Sequence, residues 1–186
     1  VTNNFPKIYI HPFFSKLKNE KNSKILDYHW SDHNKLKRDH IYINELQSKL
    51  IISVSKFLNQ FHNKKYSQRF WEIEIGKWIH NYCFMMFDRW EVLTKLKKID
   101  ANFYINTKKF SDKDMILQSV DELNNISFLN DYNSHLFSAI LNYRFSSDKN
   151  FTIKNYKDAP SQILMIRKKF SKFDDNLKTK ILNIYH

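Results

Sequence analysis

Between residues 32 and 97 the apolar side chains fall into two long stripes at helical spacing, and this periodicity limits the fold more than any other feature. The first stripe runs through Leu36, Ile43, Leu46, Leu50, Val54, Phe57, Leu58 and Phe61. The second runs through Trp71, Ile75, Trp78, Ile79, Tyr82, Met86, Trp90, Leu93 and Leu96. Steps of three and four residues place side chains on one helical face, a pattern that a strand with a period of two cannot satisfy. Ser31 or Asp32 can cap the first helix and Ser67 the second, each offering an oxygen to an orphan backbone N–H. From Tyr82 to Phe87 the second helix is apolar all round, so protein should surround it there.

Shorter patterns flank these helices. Residues 7–14, 25–30, 101–106 and 150–156 read as short strands rich in β-branched and aromatic residues. Further helices are expected at about 112–124 and 130–144, and at 160–184 with Pro160 near the start. No repeat or linker interrupts the 186 residues, so a single domain is expected. The expected class is α/β and helix-dominated, with a small parallel sheet flanked by long helices.

Gly76 is the single glycine. Neither a G-x-G-x-x-G fingerprint nor a Walker A loop can be built without more, so the chain has no glycine-rich phosphate cradle. Positive-φ positions fall to Asn or Asp. Inside a helix glycine costs about 1 kcal/mol relative to alanine, which predicts a neighbouring backbone close to Gly76. Cys83 is the one cysteine, which excludes an internal disulfide and a cysteine-based zinc site. No metal site or cofactor is read from the histidine spacing. The charges in residues 70–93 argue against a membrane-spanning helix, and a cytoplasmic location is expected. Against 19 acidic residues stand 31 Lys and Arg, a formal charge of +12 that attracts anionic partners.

Three constellations carry polar chemistry. Tyr28, His29, Trp30, Asp32 and His33 crowd the junction of an expected strand and the first long helix. Ligands often sit at such a junction in open α/β sheets. A helix cap beside a half-buried histidine explains the same residues without chemistry. Arg69 falls in the first turn of the second helix, its planar fork suited to a carboxylate or phosphate. Asp88 and Arg89 interrupt an apolar segment, where charges need partners, and read as an internal ion pair.

The string "YHWSDHNKLKRDHIYINEL", followed by Phe61–His62, "SQRFWEI" (67–73), Ile75–Gly76–Lys77–Trp78 and Asp88–Arg89, resembles the transferases of the LIC12162 type. The likeness covers residues 24–145. It departs at Ser31, His33, Glu72 and Lys77, where that family's pattern has acidic, basic, basic and proline residues. The resemblance implies the N-terminal, acceptor-side portion of a glycosyltransferase-like enzyme of two-Rossmann-domain architecture, acting in bacterial O-antigen or surface-polysaccharide biosynthesis. A C-terminal half would hold the nucleotide-sugar donor, and the acceptor would be a glycan or lipid-linked glycan. The resemblance makes His29 and Asp32 the candidate catalytic residues, for proton transfer and for orientation or base catalysis. Tyr28, Trp30, Arg69 and Trp71 become candidate substrate contacts. It also implies association with the inner membrane surface and no specific nucleic acid. The rival reading is a non-enzymatic basic helical module for nucleic acid or anionic lipid headgroups.

Overall fold

The computed structural model describes residues 8–10, 23–99, 105–108, 115–117, 119–145 and 153–156. The chain divides into two compact units, Val1–Phe103 and Tyr104–His186. In the first unit, strand β1 (Ile8–Ile10) pairs in parallel with β2 (Ser23–Ile25). A 3-10 turn at His29–Ser31 then leads into helix α1 (His33–Phe61), which a short connection joins to α2 (Gln68–Ile99). Asp32 ends the turn and caps α1, its carboxylate accepting from the backbone N–H groups of Asn34 and Lys35. Ser67 Oγ likewise accepts from the N–H of Phe70 at 3.1 Å.

The two long stripes are the seam of this helix pair. Ile43 and Ile51 of α1 cluster with Ile79 and Cys83 of α2, and Trp30, Ile75, Trp78, Phe84 and Phe87 close around them. Each fully buried aliphatic side chain of this kind contributes about 1.5–3 kcal/mol. The pair covers α1 only in part: Leu50, Phe57 and Phe61 belong to the stripe yet are exposed. Gly76 is buried, but a methyl group added to it would meet only Glu72 Cγ, at an ordinary 3.6 Å. No close neighbouring backbone accounts for it, contrary to the sequence expectation.

In the second unit, β3 (Ile105–Lys108) pairs in parallel with β4 (Ile153–Tyr156). Helix α3 (Val120–Ile126) is capped by the Ser119 hydroxyl, which accepts from Glu122 N–H; of the helix expected at 112–124, residues 112–114 lie outside the described residues, Met115 is helical, and Ile116 and Leu117 are not. Helix α4 (Asn130–Phe145) follows. Leu123, Ile126, Tyr132, Leu136, Ile140 and Leu141 are buried between these helices and their surroundings. The Asn133 amide donates to the carbonyls of Ser127 and Leu129, both at 2.8 Å, and holds the α3–α4 turn.

The expected fold class needs correction. The described residues do not build a small parallel sheet flanked by helices, nor half of a two-Rossmann-domain architecture. Helices dominate, and strands occur only as two isolated pairs of three and four rungs, one in each unit. A doubly wound sheet needs strands buried on both faces, which read as continuous apolar runs. Of the four strands three read SKI, INTK and IKNY, each with polar residues, and only the three-residue IYI is an unbroken apolar run, while the long apolar stripes lie on helices. The strand expected at 25–30 ends at Ile25, and the following residues turn instead. The helix expected at 160–184 lies outside the described residues. No described helix is long and apolar enough to cross a membrane.

Candidate functional site

The 3-10 turn tucks His29 against the C-terminal half of α2. Its ring is buried, and Nε2 lies 2.9 Å from Asp88 Oδ1. Asp88 Oδ2 accepts from Arg89 Nη1 at 2.6 Å, with both side chains almost fully buried. The Tyr28 hydroxyl also bonds Asp88. Burial first, then the Asp88 charge and that hydrogen bond, push the Tyr28 phenol well above its usual range, and Arg89 opposes them. Asp88 therefore gathers three donors, which satisfies a carboxylate inside an apolar helix segment.

This arrangement fixes the histidine. An acidic acceptor on Nε2 selects the tautomer with its proton there, leaving the lone pair on Nδ1. Nδ1 is buried and meets no hydrogen-bond partner among the described residues. Buried polar atoms are seldom left so. His29 also lines a depression with Leu26, Asp27, Tyr28, Val92 and Lys95. The Lys95 ammonium stands there, donating to the Asp27 carbonyl at 2.7 Å. The empty volume of the depression is about 190 Å³. That space includes open solvent and admits no water-sized molecule, so a sugar requires the segment to open.

A second polar cluster adjoins the first. Trp30 Nε1 donates to Asp39 Oδ2 at 2.9 Å, and its ring stacks on Phe87 at 6.2 Å and 7° from parallel. The Lys35 ammonium bonds Asp39 and reaches Glu91 Oε2 at 2.9 Å. It also stands 5.6 Å from the centre of the Phe87 ring. Burial pulls the Lys35 pKa down, but the hydrogen bonds and charges of Asp39 and Glu91 outweigh it and raise the pKa. One ring nitrogen of His29 and carboxylate oxygens of Asp39 and Glu91 lie within 4.8 Å of one another, a spacing open to a metal ion. Both carboxylates are here engaged by Lys35, so the protein supplies its own cation to them.

The structure brings Tyr28, His29, Asp88 and Arg89 together and places Trp30 beside them. It sets the other candidates apart. Asp32 points at its own helix start and is exposed; its backbone hydrogen bonds, that from Lys35 first, lower its pKa. Arg69 is exposed and pairs with Glu72 at 2.9 Å. Arg69 lies in the first turn of α2 and Asp88 beyond its middle, roughly 28 Å away along the axis at about 1.5 Å per residue. Trp71, near Arg69, is buried at the α1–α2 connection and donates to Asn59 Oδ1 at 3.0 Å. The sequence reading missed Asp39, Glu91, Lys35 and Lys95. Lys95 sits in a lysine-rich run that reads as a solvated face, and the partners of the other three lie on other turns or another helix.

A carboxylate thus orients a buried histidine whose second nitrogen has no hydrogen-bond partner among the described residues. The model of the LIC12162 family transferases matches residues 5–186, and the chain belongs to that family. No curated protein and no solved structure matches the chain. By family it is a transferase.

Proposed function

We propose that this transferase is glycosyltransferase-like, that it serves bacterial surface-polysaccharide biosynthesis, and that residues 23–99 form its acceptor side. The observation that carries the reading is the unpartnered Nδ1 of His29, held in place by Asp88. An acceptor hydroxyl gives its proton to Nδ1 while its oxygen bonds the anomeric carbon of the donor sugar. The bond from that carbon to the nucleotide phosphate breaks, and the nucleoside diphosphate leaves with the electron pair. Asp88 stabilises the imidazolium formed in the step. Lys95, beside the same depression, offers a cation to a phosphate on the acceptor. Lacking a glycine-rich phosphate loop, the chain has its nucleotide-sugar held by a further, donor-binding part of the enzyme.

The test is turnover of nucleotide-sugars by the enzyme together with its donor-binding part, on a lipid-linked glycan acceptor. Removal of a general base costs about 10²–10⁴-fold, so His29→Ala should lower kcat by that factor, and added imidazole should restore part of it. Wild-type turnover in His29→Ala would end the proposal. So would an Asp32→Asn loss as large as that of Asp88→Asn, because the orienting carboxylate would then be the wrong one.

A further inference from the structure

The connection between α1 and α2 is built unlike a hidden turn. Every residue from Phe61 to Phe70 is exposed. Phe57 is 61% exposed, Phe61 71% and Ile73 67%, with Tyr66 and Phe70 also open. Isolated exposed apolar residues are ordinary, but a contiguous group marks an interaction surface. The charges around it share one sign. Between Glu45 and Glu72 the chain has no acidic residue, and Lys49, Lys56, Lys64, Lys65 and Arg69 fall in that interval.

The tip is also rigid. Asn59 acts as a clasp: its Nδ2 donates to the Tyr66 carbonyl at 2.8 Å, and its Oδ1 accepts from Tyr66 N–H and Trp71 Nε1, both at 3.0 Å. Asn63 adopts the left-handed conformation, φ 51°, that makes the reversal without glycine. His62 stacks on Trp71 at 6.0 Å, and Tyr66 meets Phe70 at 4.2 Å. The fold thus spends specific hydrogen bonds on holding aromatic rings out in water amid lysines.

We infer that the α1–α2 tip is a docking site for anionic phospholipid, with Phe57, Phe61, Tyr66 and Phe70 entering the headgroup boundary and Lys56, Lys64 and Lys65 meeting the phosphates. Tyr66 favours that boundary because its ring has an apolar body and a polar tip, and Phe57, Phe61 and Phe70 add apolar area to bury beneath the headgroups. Paired lysines supply the attraction to anionic lipid, and the two signals together give a stable attachment where either alone is weak. A protein partner would be expected to bring acidic side chains and a fitted groove. A lipid surface needs only the chemistry seen here, an apolar tip beside Lys56, Lys64 and Lys65. The inference does not depend on the chemistry of His29.

The test is co-sedimentation of the full chain with vesicles of phosphatidylcholine alone and of phosphatidylcholine mixed with phosphatidylglycerol. The mixed vesicles should bind it and the neutral ones should not. Lys64→Glu/Lys65→Glu and, separately, Phe57→Ser/Phe61→Ser should each weaken binding by about tenfold or more. All four positions are exposed, and unchanged circular dichroism will show that the variants fold. Equal binding to both vesicle types, or no binding to either, overturns the inference. Loss in the lysine variant with none in the aromatic variant overturns it too, since it would show general attraction to polyanions. Conversion of a wild-type dimer to a monomer by Phe57→Ser/Phe61→Ser assigns the tip to a second copy of the chain instead.

Discussion

Replacing Asp88 with alanine tests the buried network most directly. The carboxylate accepts from His29 at 2.9 Å and from Arg89 at 2.6 Å, and it bonds the Tyr28 hydroxyl. Only 3% of its side chain is exposed. Removing it deprives a nearly buried guanidinium of its nearest counter-charge, and breaking a buried pair from one side costs about 3–5 kcal/mol. The loss of acceptors for His29 and Tyr28 falls within the same range, because contacts in one network do not add. A chain of this length loses about 2–4 °C of Tm per kcal/mol, so the Tm of the protein should fall by roughly 6–20 °C. Asp88→Asn should cost less, since an amide oxygen still accepts from one donor. Arg89→Met in the Asp88→Ala background should recover part of the loss, because it removes a buried charge that has lost its Asp88 partner. Urea unfolding followed by tryptophan fluorescence reads all three variants. A loss below about 1 kcal/mol for Asp88→Ala, the size of an ordinary surface change, would refute the reasoning.

Other expectations follow from the same geometry. Gly76→Ala should stabilise the protein by about 0.5–1 kcal/mol, seen as a higher urea midpoint, because the new methyl meets only Glu72 Cγ at 3.6 Å. The Tyr28 phenol is raised in the folded state by burial and by Asp88, so its contribution is complete below the ordinary tyrosine range and declines as pH rises through the folded value. The stability difference between wild type and Tyr28→Phe should therefore shrink under alkali, measured as Tm against pH. Asn59→Ala removes three hydrogen bonds that close the α1–α2 connection. It should cost about 1–3 kcal/mol and speed amide exchange at Tyr66 while leaving the His29 region protected.

The two long helices were legible because their stripes persist for many turns and end at capping residues, Asp32 and Ser67, whose roles depend on nearest neighbours. The sheet was not. Short β-branched runs such as "KIYIHPFF" suggest strands, but whether strands join into one sheet depends on contacts far apart in sequence. The site divides along the same line. Tyr28, His29 and Trp30 stand out because they are adjacent, and Asp88–Arg89 because charges in an apolar helix need partners. That these two groups meet spans 59 residues and leaves no periodic mark. The resemblance makes Asp32 a catalytic candidate, while its place at a helix start gives its oxygens a nearer use, in capping α1. Arg69 shares a helix with Asp88, and helix length alone separates them by several turns.

The clasp at Asn59 and the contact at His29 also differ in when they can form. Trp71 reaches Asn59 across 12 residues, while Asp88 reaches His29 across 59. Closing the longer loop costs about 1.4 kcal/mol more chain entropy, and it gains nothing until α2 has zipped up from its connection to α1. Chain entropy alone therefore favours closing the turn before the histidine contact. Pulse-labelled amide exchange during refolding should protect Tyr66 before the His29 segment.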